Sequence, residues 1–146
     1  MSRVIGVDYG EKRVGIALSD PLGITARPLE VVPRSRVVER VAQLINEYSA
    51  ETLVVGVPRP LGGGESASSI GARRLGDELG VETGLEVVFV DERYTSKMAE
   101  EALLESGMRR RKRHDTVDKV AAAIILQTYL DGNSRPPENV DKPGAQ

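Results

Sequence analysis

The chain has 146 residues, 40% hydrophobic and 29% charged, with a net charge of −2, which fits one domain with one core and leaves little room for a second. No apolar run approaches the roughly 20 residues of a bilayer span, and the opening Met1–Val4 lacks the features of a signal peptide. With no cysteine and a single histidine, His114, disulfides and a structural zinc site are excluded, and a cytoplasmic protein with no membrane partner is the default expectation.

Arg3 to Asp8 is a short β-branched run ending at Tyr9-Gly10, and Arg13 to Ser19 alternates Val14, Ile16 and Leu18 with small residues, the period of a strand. The short link Tyr9–Lys12, which contains glycine, predicts a hairpin. Asp20-Pro21-Leu22-Gly23 is a turn. Ala26 to Val32 reads as a third strand, at an edge because Pro28 cannot donate to a ladder. Ser35 is placed to cap a helix with Val37, Val41, Leu44 and Tyr48 on one face. Thr52 to Val57 reads as a central buried strand. After the proline- and glycine-rich loop Pro58 to Gly64, a helix from about Ser66 to Leu79 is expected to stop at Gly80. Leu85 to Val90 is another buried strand, closing on Asp91-Glu92-Arg93. Ser96 to Glu105 is helical, and Thr116 to Leu130 is an apolar helix ending near Asp131-Gly132. The domain therefore spans residues 1–132, and the tail 133–146, with three prolines, is expected to be disordered.

This order implies a mixed five-stranded sheet, the first three strands antiparallel and the rest parallel, with helices on both faces and the first strand central. Ligands in such sheets gather at the carboxyl ends of the parallel strands. Asp8 ends the first strand and Asp91-Glu92 end the last. Carboxylates brought together at one sheet edge raise each other's pKa unless a cation lies between them. Mg²⁺, or Mn²⁺ in its place, suits such a site because it takes carboxylate, water and phosphate oxygens. Two such ions about 4 Å apart can activate water and stabilise the leaving oxygen in phosphodiester cleavage.

A third carboxylate, Asp118, falls in the first turn of the last helix, where the plainer reading is an acid favoured by the helix dipole. Asp115 lies near the same face or is the cap itself. Of the pair at the last strand's end only one can aim straight at Asp8, because successive strand residues face opposite sides. Glu92 has the longer reach and is favoured as the ligand over Asp91, which suits a bond to Arg93 or to the following turn.

Arg109, Arg110, Arg111, Lys112 and Arg113 form a basic run in an acidic protein, either a patch for a nucleic-acid backbone or a solvated loop between two helices. Lys12 and Arg13 at the hairpin, and Arg93 beside the acids, join Arg110, Arg111 and Arg113 as candidate phosphate contacts. One Phe, four Tyr and no Trp argue against a stacking platform for single strands. Gripping phosphates through Arg and Lys needs few aromatics.

Gly6-Val7-Asp8-Tyr9-Gly10, Lys12-Arg13 and Gly15-Ile16-Ala17-Leu18-Ser19-Asp20 resemble the opening signature of the YqgF (RuvX) family. Val55-Gly56-Val57-Pro58, Val90-Asp91-Glu92-Arg93, Val117-Asp118-Lys119-Val120-Ala121-Ala122 and Ile125–Asp131 match its later blocks in order, so the resemblance covers residues 3 to 131. It implies an RNase H-like fold and a metal-dependent cytoplasmic phosphodiesterase, with acidic roles on Asp8, Glu92 and Asp118. The implied substrate is pre-16S rRNA at its 5′ end, with branched DNA at a Holliday junction as the alternative; a monomer and a homodimer both fit. The chain departs from the family at Tyr94-Thr95-Ser96, usually Leu-Thr-Thr, and at Pro60–Gly64, usually an Asn-x-Asp-Gly-like stretch. Two other classes compete. A kinase-type nucleotide domain also opens on an Asp-x-Gly hairpin, but it needs a second domain for which there is no room. A non-catalytic nucleic-acid-binding module or ribosome-assembly factor would bind without metal-dependent cleavage.

Overall fold

The computed structural model describes residues 3–58, 64–91 and 110–133, with side chains over the first two segments and 119–132. The expected helix at 96–105, the tail beyond Asn133, Glu92 and Arg93 lie outside the described residues.

Strand β1 (Arg3–Asp8) returns through a hairpin into β2 (Arg13–Ser19), and β2 pairs antiparallel with β3 (Ala26–Pro33). The turn requires glycine at position 10, where a Cβ would strike the Arg13 carbonyl oxygen. β4 (Ala50–Val57) lies parallel to β1, and β5 (Glu86–Asp91) lies parallel to β4. The sheet order is β3-β2-β1-β4-β5. β1 is central and β3 is an edge, with Pro28 opposite Ala17 beside a register shift, where its missing N–H can be tolerated.

Helix α1 (Val37–Tyr48) begins after a 3₁₀ turn over Arg34–Arg36. The turn absorbs Ser35, so Ser35 is not the cap; Arg36 stands at that position and makes no side-chain cap bond. α2 (Ala67–Thr83) is capped by Ser66, whose hydroxyl accepts from Ser69 N–H at 3.1 Å while the Ser69 hydroxyl accepts from Ser66 N–H at 2.8 Å, a reciprocal pair that satisfies two otherwise orphaned donors. The helix runs through Gly80, the expected stop, and ends at Gly84, whose φ of 74° is the left-handed conformation glycine favours. Gly80 stays within the helix, and a Cβ there would make only ordinary contact, 3.4 Å from the Val87 side chain of β5.

The last described helix, α3 (Arg110–Asn133), starts six residues before the expected Thr116. Arg110 to Arg113 are therefore helical, not a loop. Asp118 lies two turns inside the helix, which removes both the first-turn reading of Asp118 and the cap reading of Asp115. Among the described residues no helix is long and apolar enough to cross a membrane.

α1 and α2 cover one face of the sheet, where Ile5, Val7, Ile16 and Leu53 pack with Leu44 and Leu75. α3 covers the other, where Val4, Ala17 and Val54 meet Ala122, Ile125 and Leu126. Each large side chain buried this way contributes on the order of 1.5–3 kcal/mol. Where α3 crosses the central strand, the α3 face has small residues, Gly6, Ala17 and Ala122. A Cβ at Gly6 would come 2.8 Å from Leu126 Cβ and 3.0 Å from the Ala122 carbonyl oxygen, so only glycine lets the helix lie this close to the central strand.

Candidate active site

Asp8 is the last residue of β1 and is half-buried. The alternation Val4, Gly6, Asp8 puts it on the α3 face. Its cross-strand partners are Gly15 on β2 and Gly56 on β4, and Gly56 in turn pairs with Val90 on β5. The carboxylate thus stands between two strands that carry no side chain at its level.

α3 runs antiparallel to β1 across this face. The Gln127 amide accepts from Ala26 N–H and donates to the Ile24 carbonyl, both at 2.9 Å, which pins it near the start of β3, opposite Ser19. Ser19 accepts from Val4 N–H at 2.8 Å, so Gln127 sits toward the Val4 end of the central strand. Ala122 sits farther along, at Gly6. One turn earlier, about 6 Å along the axis, the backbone of Asp118 approaches the level of Asp8, two strand residues and about 7 Å beyond Gly6.

Asp91 ends β5 with the opposite orientation. It shares parity with Phe89, which lies against Gly76 of α2 and under the Arg73 guanidinium at 6.0 Å. Val88 and Val90 pack with the α3 cluster. Alternation therefore assigns Asp91 to the α2 face, away from Asp8. Among the described residues no three His, Cys, Asp or Glu side chains gather in one cluster. Lys12 and Arg13 are exposed at the hairpin beside this edge, where the Lys12 carbonyl accepts from Arg34 N–H at 2.9 Å. Arg110, Arg111 and Arg113 are placed by backbone only, in the first turns of α3.

Sequence reasoning missed two features, one at the opposite end of the sheet and one near this edge. Asp20 ties its loop together: its carboxylate accepts from Ile24 N–H at 2.7 Å and Thr25 N–H at 3.1 Å. The Thr25 bond foremost holds its pKa below the usual value. The second is a cleft of about 390 Å³ lined by Tyr9, Arg34, Ala67, Ile70, Gly71 and Arg74. Gly71 was its available signal, because glycine inside a helix costs about 1 kcal/mol against alanine and implies a close neighbour.

A central hairpin, an antiparallel edge strand, two parallel strands and a helix on the opposite face make this an RNase H-like fold. The chain is similar to Thermus thermophilus RuvC solved with a Holliday junction substrate, at a TM-score of 0.59 and 21% identity over 94% of this chain and 99% of that one. It is also similar to a Fowlpox virus resolvase solved with Holliday junction DNA, at 0.53 and 13%, covering 91% and 99%. Those likenesses concern the fold. The model of the RuvX family, described as "Holliday junction resolvase", matches residues 2–132, and the chain belongs to this family. Relatives named "Putative pre-16S rRNA nuclease" include a protein of Lactococcus lactis subsp. lactis, 41% identical over 91% of this chain and 96% of its own length. Another, from Syntrophus aciditrophicus, is 43% identical over 91% of each.

Proposed function

We propose that the chain is a metal-dependent nuclease that hydrolyses RNA phosphodiesters in maturing the 5′ end of pre-16S rRNA in the cytoplasm. The observation that carries this reading is Asp8, a half-buried carboxylate at the carboxyl end of the central strand, between Gly15 and Gly56 and on the face crossed by the helix bearing Asp118. The RNA substrate is taken from the relatives' shared name.

Asp8, Glu92 and Asp118 would hold Mg²⁺ or Mn²⁺, two ions in the full site. All are hard oxygen donors of the kind these ions take. Bound there, the ions neutralise the attacked phosphate and the leaving oxygen. Asp91 lies on the α2 face, away from Asp8, which supports Glu92 over Asp91 as the partner of Asp8. The protein's own part is to orient the scissile phosphate over the Gly15–Asp8–Gly56 row. Lys12, Arg13, Arg93, Arg110, Arg111 and Arg113 hold neighbouring phosphates by charge.

The test is incubation of the purified protein with a pre-16S rRNA fragment and, separately, four-way junction DNA, each with Mg²⁺, Mn²⁺ or EDTA. Cleavage of the RNA with metal and none in EDTA is expected. Cutting of the junction with the RNA left intact would move the protein to the resolvases. Metal-independent binding without cleavage of either would make it a non-catalytic assembly factor.

A further inference from the structure

After Asp8 the chain turns across the sheet edge, and Tyr9 packs with the core on the α1/α2 side. Its ring lies against α2 at Gly71, where a Cβ would fall within 2.6 Å of the ring edge; any larger residue would displace the ring. The Arg34 guanidinium is 5.8 Å from the centroid of that ring, and its Nη2 is 3.5 Å from Glu78 Oε1. Arg34 is therefore oriented by a ring and a carboxylate. Neither holds it tightly, since an exposed ion pair contributes little and the other guanidinium nitrogens remain to donate. Arg74 lines the same cleft from the exposed side of α2, with no carboxylate partner among the described residues. Among the described residues no acidic side chain lines the cleft.

The volume, about 390 Å³, lies within the range of small-ligand sites, and its chemistry is specific. Two guanidinium groups present planar forks that match phosphate oxygens. Ala67 and Ile70 bring in the first turns of α2, whose positive dipole end favours an anion, and Ile70 is 43% exposed, an apolar surface for a sugar. We propose that this cleft holds a backbone phosphate of the substrate strand between Arg34 and Arg74. Its identity as part of the substrate strand rests on the nuclease reading. A strand lying over Asp8 reaches Tyr9 by passing over the same sheet edge, so one strand engages both faces. The scissile phosphate then lies on the α3 side and the cleft phosphate on the α2 side. The Tyr9 ring is then a positioning element for Arg34 and not a base-stacking surface.

The test is fluorescence anisotropy of a labelled short single-stranded RNA in EDTA, across a salt series, with the full-length wild type, Arg74→Ala, Arg34→Ala and the remote control Arg27→Ala. Cleavage of the same RNA is followed separately in Mn²⁺. Each cleft variant should lose about tenfold in affinity, as expected for one charged hydrogen bond. The slope of log affinity against log salt should flatten by about 0.7 for each phosphate that the variant no longer neutralises, and Arg27→Ala should match wild type. Melting temperatures check folding, and Arg34→Gln replaces Arg34→Ala if the latter does not fold. A wild-type salt slope in either cleft variant overturns the two-arginine site. RNA bound through both arginines but not cleaved keeps the site and removes the nuclease reading; cleavage with neither arginine mattering does the reverse. RNA neither bound nor cleaved removes both.

Discussion

The two faces of the sheet are packed by different means. Under α1 and α2, long side chains such as Ile5, Ile16, Leu53 and Leu75 fill the space, and helices stand off the strands at the distance those side chains set. Under α3, Gly6, Ala17 and Ala122 leave almost no layer between helix and strand. The first arrangement maximises buried apolar area. The second brings the α3 backbone to the central strand, and with it the segment that carries Asp118. One face is built for stability and the other for proximity, and Asp8 points to the second.

Asp8→Asn tests this most severely. The substitution keeps size and turn geometry but removes the charge, so cleavage should be abolished with the melting temperature nearly unchanged. Full cleavage by this variant would overturn the mechanism. Next is the pair at the end of β5. Glu92→Gln should lower turnover by orders of magnitude at unchanged RNA affinity, whereas Asp91→Asn, on the α2 face, should mainly lower stability. The opposite result would show that proximity does not follow sheet parity.

Two core substitutions compare the faces directly. Leu75→Ala should cost about 2–5 kcal/mol in chemical denaturation, leaving kcat intact while the protein is folded. Gly6→Ala should cost less, about 1–3 kcal/mol through overpacking, yet reduce kcat, because the added methyl pushes α3 from β1. Equal effects on kcat would mean that the close approach has no catalytic consequence. Replacing Arg110, Arg111 and Arg113 with Ala should weaken RNA binding and flatten its salt dependence; an unchanged slope would confine the start of α3 to a structural role.

The smallest effect is expected at Asp20. Its folded pKa is lowered, so its contribution is present above its unfolded pKa and is lost as pH falls through the lower folded value. Melting temperature should fall slightly more between pH 7 and the acidic carboxylate range in wild type than in Asp20→Ala. Identical pH profiles would show that the loop bonds add nothing to stability.

Much of this molecule was written in local pattern. The β-branched runs ending at Asp8 and Asp91, the glycine turn at Gly10 and the edge signal at Pro28 depend on neighbours a few residues away, and the strand order followed from them. So did the position of Asp8 at the carboxyl end of a central strand. Helix boundaries were less legible. Ser35 has the chemistry of a cap and Gly80 that of a stop, but a 3₁₀ turn displaced the one and the helix runs past the other to Gly84. What the tertiary structure alone decided is which side of the sheet Asp8 and Asp91 face. Both faces are apolar, so hydrophobic alternation along β5 cannot distinguish Asp91 from the residue after it. That distinction needs α3 on Gly6 and α2 on Phe89, contacts between segments far apart in the chain. The grouping of Tyr9, Arg34 and Arg74 has the same origin: three separate elements meet there because the hairpin and α2 share an edge of the fold.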